Sequence, residues 1–407
     1  MQKLKNNIIL LLYTAIIGTI TGLIIWGFLK LNSLLITFLW EYLPSQASIP
    51  FYTVIVCTLG GLLIGLWKHK FGNYPEDLND VIGKVKKTGR YQYKNIFSCS
   101  VSALAPLVIG ASVGPEAGLA GIIAGLCTWV GDKLKHFFRE VRELTNIGIT
   151  ATLGTIFRSP MFGFMEPLES EEETKLPKTS KIILYFTAIM SAFGIFILFN
   201  NLFGKMAGFE SVGYVMLENV NWFMVILVGL VGIAAGYFYY YSHKIVSFLF
   251  GLLGKHIILK CLIGGLALGL IGYFLPLTMF SGEEQIGIVF ETGAIIGATT
   301  LILVGAIKII LTNVCIESGL KGGHFFPMIF AGIAIGYGLS ILLNLDPVIA
   351  SATLTTAFLA NILKKPLATV LLLMIVFPVK LLPIMLVAAI VGALFKTPNE
   401  RSEASKH

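Results

Sequence analysis

Apolar residues in this chain run in long stretches with few charged interruptions. Six of them approach the roughly 20 residues that a helix needs to cross a bilayer: Ile8–Leu29, Phe51–Trp67, Ile182–Phe199, Trp222–Tyr240, Ile257–Phe274 and Ala368–Phe395. Backbone polar groups find no water in lipid, so such segments must be helices. A membrane β-barrel would instead show alternating segments of about ten residues. The pattern predicts an all-α, polytopic membrane protein.

Composition supports this interpretation. Apolar residues fill 56% of the 407 positions and charged residues only 13%, whereas about a quarter of a soluble domain is charged. Lys3 and Lys5 precede the first apolar run, as in a secretory signal. That run is longer than a signal core of roughly 7–15 residues, and no convincing small-residue cleavage site follows it. We therefore expect a retained first helix in the cell membrane.

Positive charge is concentrated in one segment. The net charge is +8, and basic residues crowd positions 68 to 94: Lys68, His69, Lys70, Lys84, Lys86, Lys87, Arg90 and Lys94. Basic residues beside membrane helices favour the cytoplasmic side, so we expect this segment and both chain termini to be cytoplasmic. This rule explains the charge without a nucleic-acid partner, and no nucleic-acid recognition fold accompanies the segment.

The cysteines do not suggest a metal site. Their number is odd, they lack the spacing of metal ligands, and most lie in apolar surroundings: Cys57, Cys99, Cys127, Cys261 and Cys315. We interpret them as small buried apolar residues. No metal, cofactor or disulfide framework is expected.

Two regions interrupt the apolar pattern with glycine, proline and polar residues. The first is Gly110–Gly118, followed by Ala120-Gly-Ile-Ile-Ala-Gly125; the second is Gly322–Pro327, followed by Ala331-Gly-Ile-Ala-Ile-Gly336. Such paired interruptions in two repeats indicate the binding site of a transporter. The Ala-Gly segments taken alone are better interpreted as sites of close helix packing. We expect diverged repeats over residues 1–178 and 179–395, followed by a short polar tail over 396–407.

These interruptions suit an anion. A helix that begins inside the protein exposes backbone N–H groups without intrahelical acceptors, and the positive end of its dipole adds to their attraction. Glycine allows the ion to approach the backbone closely. Glu116, beside the first interruption, is costly inside a membrane and is therefore a candidate functional residue. Its alternative role is that of a simple first-turn glutamate that stabilises the helix dipole.

With these residues in view, the chain resembles the CLC family of chloride channels and anion–proton antiporters. Gly114-Pro-Glu116 is similar to the motif of that family that carries the gating glutamate. Gly323-His-Phe-Phe-Pro327 matches its Gly-x-Phe-x-Pro motif, and Phe71–Glu76 stands where the family has Gly-Ser-Gly-Ile-Pro-Glu. The resemblance implies two inverted-topology repeats, broken helices and a homodimer. It also implies gating by Glu116 and an anion site formed by these residues: Gly72, Asn73, Tyr74, Gly114, Pro115, Gly323, His324, Phe325 and Phe326.

The departures from the family pattern affect the side-chain ligands. Pro115 replaces the arginine of the glutamate motif, and Gly72 stands in place of the serine that coordinates the anion. No clear match to the pore tyrosine of the last helix is present, and no C-terminal regulatory domain is expected. Backbone donors would therefore carry the site. His324 lies inside the motif, either as a pH-sensitive neighbour or, as we favour, as a neutral donor.

The resemblance also implies an acid on the cytoplasmic side of a proton pathway. Counting from Pro160, Glu169 and Ser170 fall at the places of the paired glutamates of the family, with Ser170 at the relaying one. Glu166 and Glu169 are the candidates, and Glu171–Glu173 are better interpreted as an acidic loop. A serine cannot hold a proton, which weakens the antiporter interpretation.

The predicted function is transport of small chloride-like anions, with proton-coupled exchange favoured over a passive chloride or fluoride channel. Membrane lipid, protons and a second copy of the chain are the other expected partners. An intramembrane enzyme is disfavoured because no nucleophile or metal cluster with an acid–base partner is present. A non-conducting scaffold would have no use for Glu116.

Overall fold

The computed structural model describes residues 2–46, 49–76, 78–92, 95–133, 141–169, 178–204, 211–212 and 221–395. Within these ranges the chain is helical. The helices of the first half are α1 (Gln2–Thr37), α2 (Leu43–Gln46), α3 (Tyr52–Phe71), α4 (Leu78–Thr88), α5 (Ile96–Val108), α6 (Glu116–Lys133), α7 (Val141–Ile156) and α8 (Pro160–Glu169). Those of the second half are α9 (Lys178–Leu202), α10 (Trp222–Gly251), α11 (Ile257–Phe274), α12 (Glu283–Ile296), α13 (Ala298–Ser318), α14 (Phe325–Leu343), α15 (Pro347–Leu363), α16 (Pro366–Leu373) and α17 (Leu382–Leu394).

Seven of the described helices are long and apolar enough to cross a membrane: α1 with its continuation to Gln46, α3, α9, α10, α11, α13 and α14. Their outward faces carry exposed large apolar side chains, as a helix in lipid requires. Shorter apolar helices, among them α5, α6 and α15, lie between them. The prediction of an all-α, polytopic membrane protein with broken helices is confirmed.

The predicted span Ala368–Phe395 is wrong as a single helix. The chain forms α16, breaks around Pro378, makes a short 3-10 turn over Val379–Leu381 and continues as α17. Proline has no N–H to donate and disfavours helical backbone in the residue before it. A long apolar run was mistaken for one spanning helix.

The α14 helix lies at the centre of the molecule. It packs against α13 on one side and α15 on the other, and nearly all of its residues are buried. A helix that is apolar on every face belongs inside the protein rather than against lipid. The start of α14 is therefore enclosed by protein, which makes it a suitable place for a binding site.

All five cysteines are buried, as predicted. Lys68 differs from the other residues of the basic segment that the structure describes. It lies in the last turn of α3 with only 2% of its surface exposed. Ser170, Glu171–Glu173 and the tail over 396–407 lie outside the described residues.

Candidate functional site

Two helix starts from the two halves of the chain meet at a pair of glycines. The α6 helix begins at Glu116 and α14 begins at Phe325, as the glycine and proline interruptions predict. Just before them, Gly114 and Gly323 form an antiparallel bridge in which each N–H donates to the carbonyl oxygen of the other at 2.7 Å. The bridge brings the two sequence motifs together, although 209 residues separate Glu116 from Phe325.

The Glu116 carboxylate occupies the start of α14. Its side chain is fully buried, and Oε1 accepts a hydrogen bond from the backbone N–H of Phe325 at 2.9 Å. Among the described residues, Oε2 has no hydrogen-bond partner. The amide at a helix N-terminus attracts anions. The carboxylate of Glu116 therefore stands where a small anion would bind.

Both bridging glycines are required by this arrangement. A Cβ on Gly323 would lie 1.8 Å from Cδ of Glu116, and a Cβ on Gly114 would lie 2.0 Å from Oε2. Any side chain at either position would overlap the carboxylate. The absence of a Cβ allows a negatively charged group to rest directly on the backbone.

An aromatic cluster packs on the start of α14, next to the residue that binds the carboxylate. Phe157, at the end of α7, stacks on Phe326 with ring centroids 4.7 Å apart and rings 12° from parallel. It also contacts Phe325 and, edge to face, Phe162 of α8. All four side chains are buried. Low polarity around the site strengthens each electrostatic interaction inside it.

The loop before Glu116 is tied to the second half of the chain at three points. Gly110 accepts a hydrogen bond from the backbone N–H of Phe280 at 2.9 Å, and the hydroxyls of Ser112 and Thr312 lie 3.1 Å apart. The Gly114–Gly323 bridge is the third. These ties fix the position of the Glu116 backbone relative to α13 and α14.

A cavity of about 270 Å³ reaches the site from one side. Pro115, which precedes Glu116, and Phe326, which follows Phe325, form part of its wall. The charged residues of its lining are Glu41, Arg158, Glu283 and Glu284. Pro115 thus lines the cavity beside Glu116, where the arginine that it replaces in the family motif would add a positive charge.

The loop of Gly72, Asn73 and Tyr74 packs against α5 and α6. The Tyr74 ring joins a buried group that includes Cys99 and Ile122, and its hydroxyl accepts a hydrogen bond from Nδ2 of Asn95 at 3.1 Å. Among the described residues, no hydrogen bond joins this loop to Glu116 or to Gly323–Phe326. The structure thus brings together two of the three predicted segments by direct contacts.

His324 lies immediately before α14. Its ring stacks on Tyr239 of α10 at 5.7 Å between centroids and contacts the Phe325 ring at 4.5 Å. The side chain faces α10 and is partly exposed. His324 is therefore next to the anion motif along the chain but points towards a different set of polar groups.

Glu169, a predicted proton carrier, caps a helix of the second half. Its Oε1 accepts a hydrogen bond from the backbone N–H of Leu367 at 2.9 Å, and its Oε2 accepts one from Ala368 at 2.7 Å. Both donors belong to the first turn of α16. Glu166 lies in the same helix as Glu169, and its side chain is outside the described part of the molecule.

Two buried lysines near the site were missed as candidates by the sequence interpretation. Lys308 of α13 is fully buried, and its Nζ donates to the carbonyl oxygens of Met279 and Phe280 at 2.8 Å each. Lys68 donates from α3 to the carbonyl oxygen of Gly319 at 2.5 Å. Lys308 is a single charge within a long apolar run, and that signal was available from the sequence alone.

Comparison with known proteins identifies the family. The sequence model described as "Voltage gated chloride channel" matches residues 60–397, which is most of the chain. The chain belongs to this family. CLC proteins are anion transporters rather than enzymes, and the polytopic helical fold agrees with that membership.

Similar CLC sequences extend over nearly the whole chain. The "Putative ion-transport protein YfeO" of Salmonella schwarzengrund is 25% identical and covers 89% of this chain and 87% of its own length. The protein of the same name from Escherichia fergusonii is 24% identical, with 89% and 85% covered.

Solved CLC structures share the fold. A slow cyanobacterial Cl⁻/H⁺ antiporter superimposes with a TM-score of 0.82 at 20% identity, covering 98% of this chain and 97% of its own. A CLC-type fluoride/proton antiporter gives 0.78 at 19% identity, covering 96% and 95%. A eukaryotic CLC transporter gives 0.75 at 17% identity, covering 98% and 74%.

Proposed function

We propose that this protein exchanges a small chloride-like anion for protons and that Glu116 is its gate. The observation that carries the proposal is the hydrogen bond from the Phe325 N–H to the buried Glu116 carboxylate. The carboxylate and a transported anion compete for the same backbone donors, so only one of them is bound at a time.

Protonation decides which of them binds. The ionised carboxylate is held by the N-terminus of α14 and excludes the anion. The neutral acid loses most of its attraction to the helix dipole, so its side chain leaves and an anion takes its place. Because the group that moves away carries a proton, anion entry and proton movement are coupled.

Backbone donors favour small, compact anions. The amides of Phe325 and Phe326 are proposed to donate to the anion, with Gly323, His324, Gly114 and Pro115 surrounding it. The N–H groups of Gly114 and Gly323 already bond to each other's carbonyl oxygens, and proline has no N–H. The contribution of Gly72, Asn73 and Tyr74 is also proposed, as the loop at the mouth of the same site. The fluoride/proton and Cl⁻/H⁺ antiporters of similar fold support a halide as the substrate.

A passive channel of the same fold is the alternative function. One observation favours it: Glu169 uses both carboxylate oxygens to cap α16, so it is poorly placed to release and accept protons. The assignment of Glu169 or Glu166 as the cytoplasmic acid stays a prediction. Proton coupling then requires a cytoplasmic group at Glu166 or elsewhere.

Orientation and assembly are part of the proposal. The basic segment over residues 68–94 and both termini are proposed to be cytoplasmic, in accordance with the positive-inside rule. The outer cavity with Arg158 and Glu283 then opens on the other side. We propose a homodimer in the cell membrane, in accordance with the family resemblance.

Transport by the purified protein in liposomes tests the function. A chloride gradient is imposed, a potassium ionophore clamps the voltage, and external chloride and pH are recorded together. We expect chloride movement to drive protons uphill. Chloride flux without proton movement would identify a channel, and absence of flux for chloride, fluoride and nitrate would contradict anion transport.

Anomalous scattering tests the site itself. Bromide soaked into crystals of the Glu116→Gln variant should give a peak beside the amides of Gly323–Phe326 and near Gly114. A peak far from these residues and from Gly72–Tyr74 would contradict the proposed anion site.

A further inference from the structure

A second polar cluster lies beside the start of α14, between α10 and α13. Each helix contributes two residues one turn apart, which places them on one face: Tyr239 and His243 on α10, and Asn313 and Glu317 on α13. Nε2 of His243 lies 3.1 Å from Oε1 of Glu317. One turn deeper, Nδ2 of Asn313 donates to the Ser242 hydroxyl at 2.5 Å and to the Tyr239 carbonyl at 3.3 Å.

The outer end of this cluster lies at the surface of the chain. The side chain of His243 is 43% exposed and that of Glu317 is 25% exposed. The Ser247 hydroxyl and the charge of Lys321 also face Glu317. A histidine paired with a carboxylate is a common arrangement for accepting and releasing protons near neutral pH.

The inner end of the cluster reaches the anion motif. Asn313 is fully buried, and its Oδ1 has no hydrogen-bond partner among the described residues. The His324 ring stacks on Tyr239 and is acted on electrostatically by His243. His324 directly precedes Phe325, whose N–H holds Glu116. Polar groups thus extend from the surface of the chain to His324, the neighbour of the residue that binds the gate.

The cluster lies on the side of the membrane that carries the basic segment. Lys68, in the last turn of α3, donates to the carbonyl oxygen of Gly319, two residues after Glu317. Cys261 of α11 also faces this end of α13. The end of α13 and the basic segment over 68–94 are therefore on the same face, which the proposed orientation makes cytoplasmic.

We propose that the His243–Glu317 pair is the cytoplasmic proton-exchange site of this transporter and that His324 connects it to Glu116. The inference rests on the proton-coupled function proposed for Glu116. In one half-cycle the pair takes a proton from cytoplasmic water and gives it up through His324, and the Glu116 carboxylate accepts it. The pair returns to its original charge, and no other bond is made or broken.

This assignment supplies the cytoplasmic proton acceptor that the first half of the chain lacks at Ser170 and Glu169. Ser170 cannot hold a proton, and both oxygens of the Glu169 carboxylate bond to α16 amides. Glu317 instead has a histidine partner, and both side chains of the pair are partly exposed at the surface of the chain. The proton enters through the second half of the chain, on the same side of α14 as His324.

The ratio of protons to anions transported tests the inference. Glu317→Gln and His243→Gln are reconstituted in liposomes beside the unaltered protein, and chloride and proton movements are recorded under voltage clamp. We expect each variant to keep chloride flux and to lower the proton-to-chloride ratio by about tenfold or more, since an amide cannot carry a proton. Glu317→Asp keeps a carboxyl group and should recover part of the coupling.

Matched variants separate this role from a structural one. Glu291→Gln changes an exposed acid on α12 and should leave the ratio unchanged, whereas a purely structural defect would lower chloride and proton rates together. Coupling that is intact in Glu317→Gln and His243→Gln but lost in Glu169→Gln would overturn the inference and leave the proposed function standing. An unaltered protein that carries chloride without protons would overturn both.

Discussion

Glu116 and Glu169 make the same kind of contact, but the two contacts suit different roles. Each lies in the first half of the chain, and each places its carboxylate on the N-terminus of a helix from the second half, α14 for Glu116 and α16 for Glu169. Glu116 is fully buried, accepts the Phe325 amide bond on Oε1 and leaves Oε2 without a partner among the described residues. Glu169 is partly exposed and has both oxygens bonded to amides.

The difference explains why the Glu116 contact suits a gate and the Glu169 contact suits a permanent tie between α8 and α16, which we call the clamp. A carboxylate with both oxygens satisfied in the first turn of a helix is a stable cap. A buried carboxylate that satisfies only one oxygen pays for desolvation of the other, so a transported anion competes with it easily. Both contacts join the two halves of the molecule, but only the weaker one can be exchanged.

Glu116→Gln should have the largest effect. Glutamine mimics the protonated acid and carries no charge to compete with the anion or to carry a proton. The acid-induced rise in anion efflux of the unaltered protein, which follows from neutralisation of Glu116 at low pH, should disappear, and anion flux should lose its coupling to protons. Efflux from liposomes between about pH 4.5 and pH 7.5 measures this.

Glu284→Gln is the matched control for that experiment. Glu284 is an exposed glutamate at the start of α12 and also lines the outer cavity. Its variant should keep the pH dependence of efflux. Unchanged pH dependence in Glu116→Gln would remove Glu116 from the gate.

Gly323→Ala should disturb the position of the Glu116 carboxylate without changing its charge. The new Cβ would lie 1.8 Å from Cδ of Glu116, so the carboxylate or the backbone must move. We expect a loss of about 1–3 kcal/mol in the free energy of unfolding, as for overpacking, together with weaker anion binding measured by isothermal titration. Gly194→Ala, inside α9 and with no atom within 4 Å of the added carbon, should leave anion binding unchanged and should not lower the free energy of unfolding, because alanine favours a helix over glycine. Equal anion affinity in both variants would contradict a site at Gly323.

Parts of this arrangement could be predicted from the sequence and parts could not. The glycine and proline interruptions indicated where α6 and α14 begin, because those residue types act on local backbone geometry. The cap made by Glu169 could not be found in this way, since its partners are 198 and 199 residues away. The same holds for His243 and Glu317, whose contact depends on how α10 packs on α13. The long run over 368–395 was misassigned because hydrophobicity alone does not separate one spanning helix from two shorter helices.

Glu169→Gln should affect stability more than coupling. The amide keeps one acceptor oxygen and places an NH₂ group against a backbone N–H, so one of the two hydrogen bonds to α16 is lost. We expect a loss of about 1–3 kcal/mol in the free energy of unfolding, as for a hydrogen bond to a charged group, measured by denaturant or thermal unfolding in detergent. The proton-to-anion ratio should remain that of the unaltered protein. A collapse of that ratio without a loss of stability would return Glu169 to the proton pathway.

Ser159→Ala should have the smallest effect and tests whether the clamp acts as a unit. Ser159 immediately precedes α8, and its hydroxyl donates to the carbonyl oxygen of Leu371 at 2.8 Å, so α8 holds α16 near one end through Ser159 and at the other through Glu169. Losing this bond should cost about 1 kcal/mol in the free energy of unfolding.

The double variant tests whether the two contacts are coupled. Losses in the free energy of unfolding add for independent contacts, whereas they do not add for contacts that order the same short helix. Because α16 has only eight residues, we expect the double variant Ser159→Ala/Glu169→Gln to lose less stability than the sum of the two single variants. Strict additivity would show that the two ends of α16 are held separately, and the clamp would then be two unrelated caps.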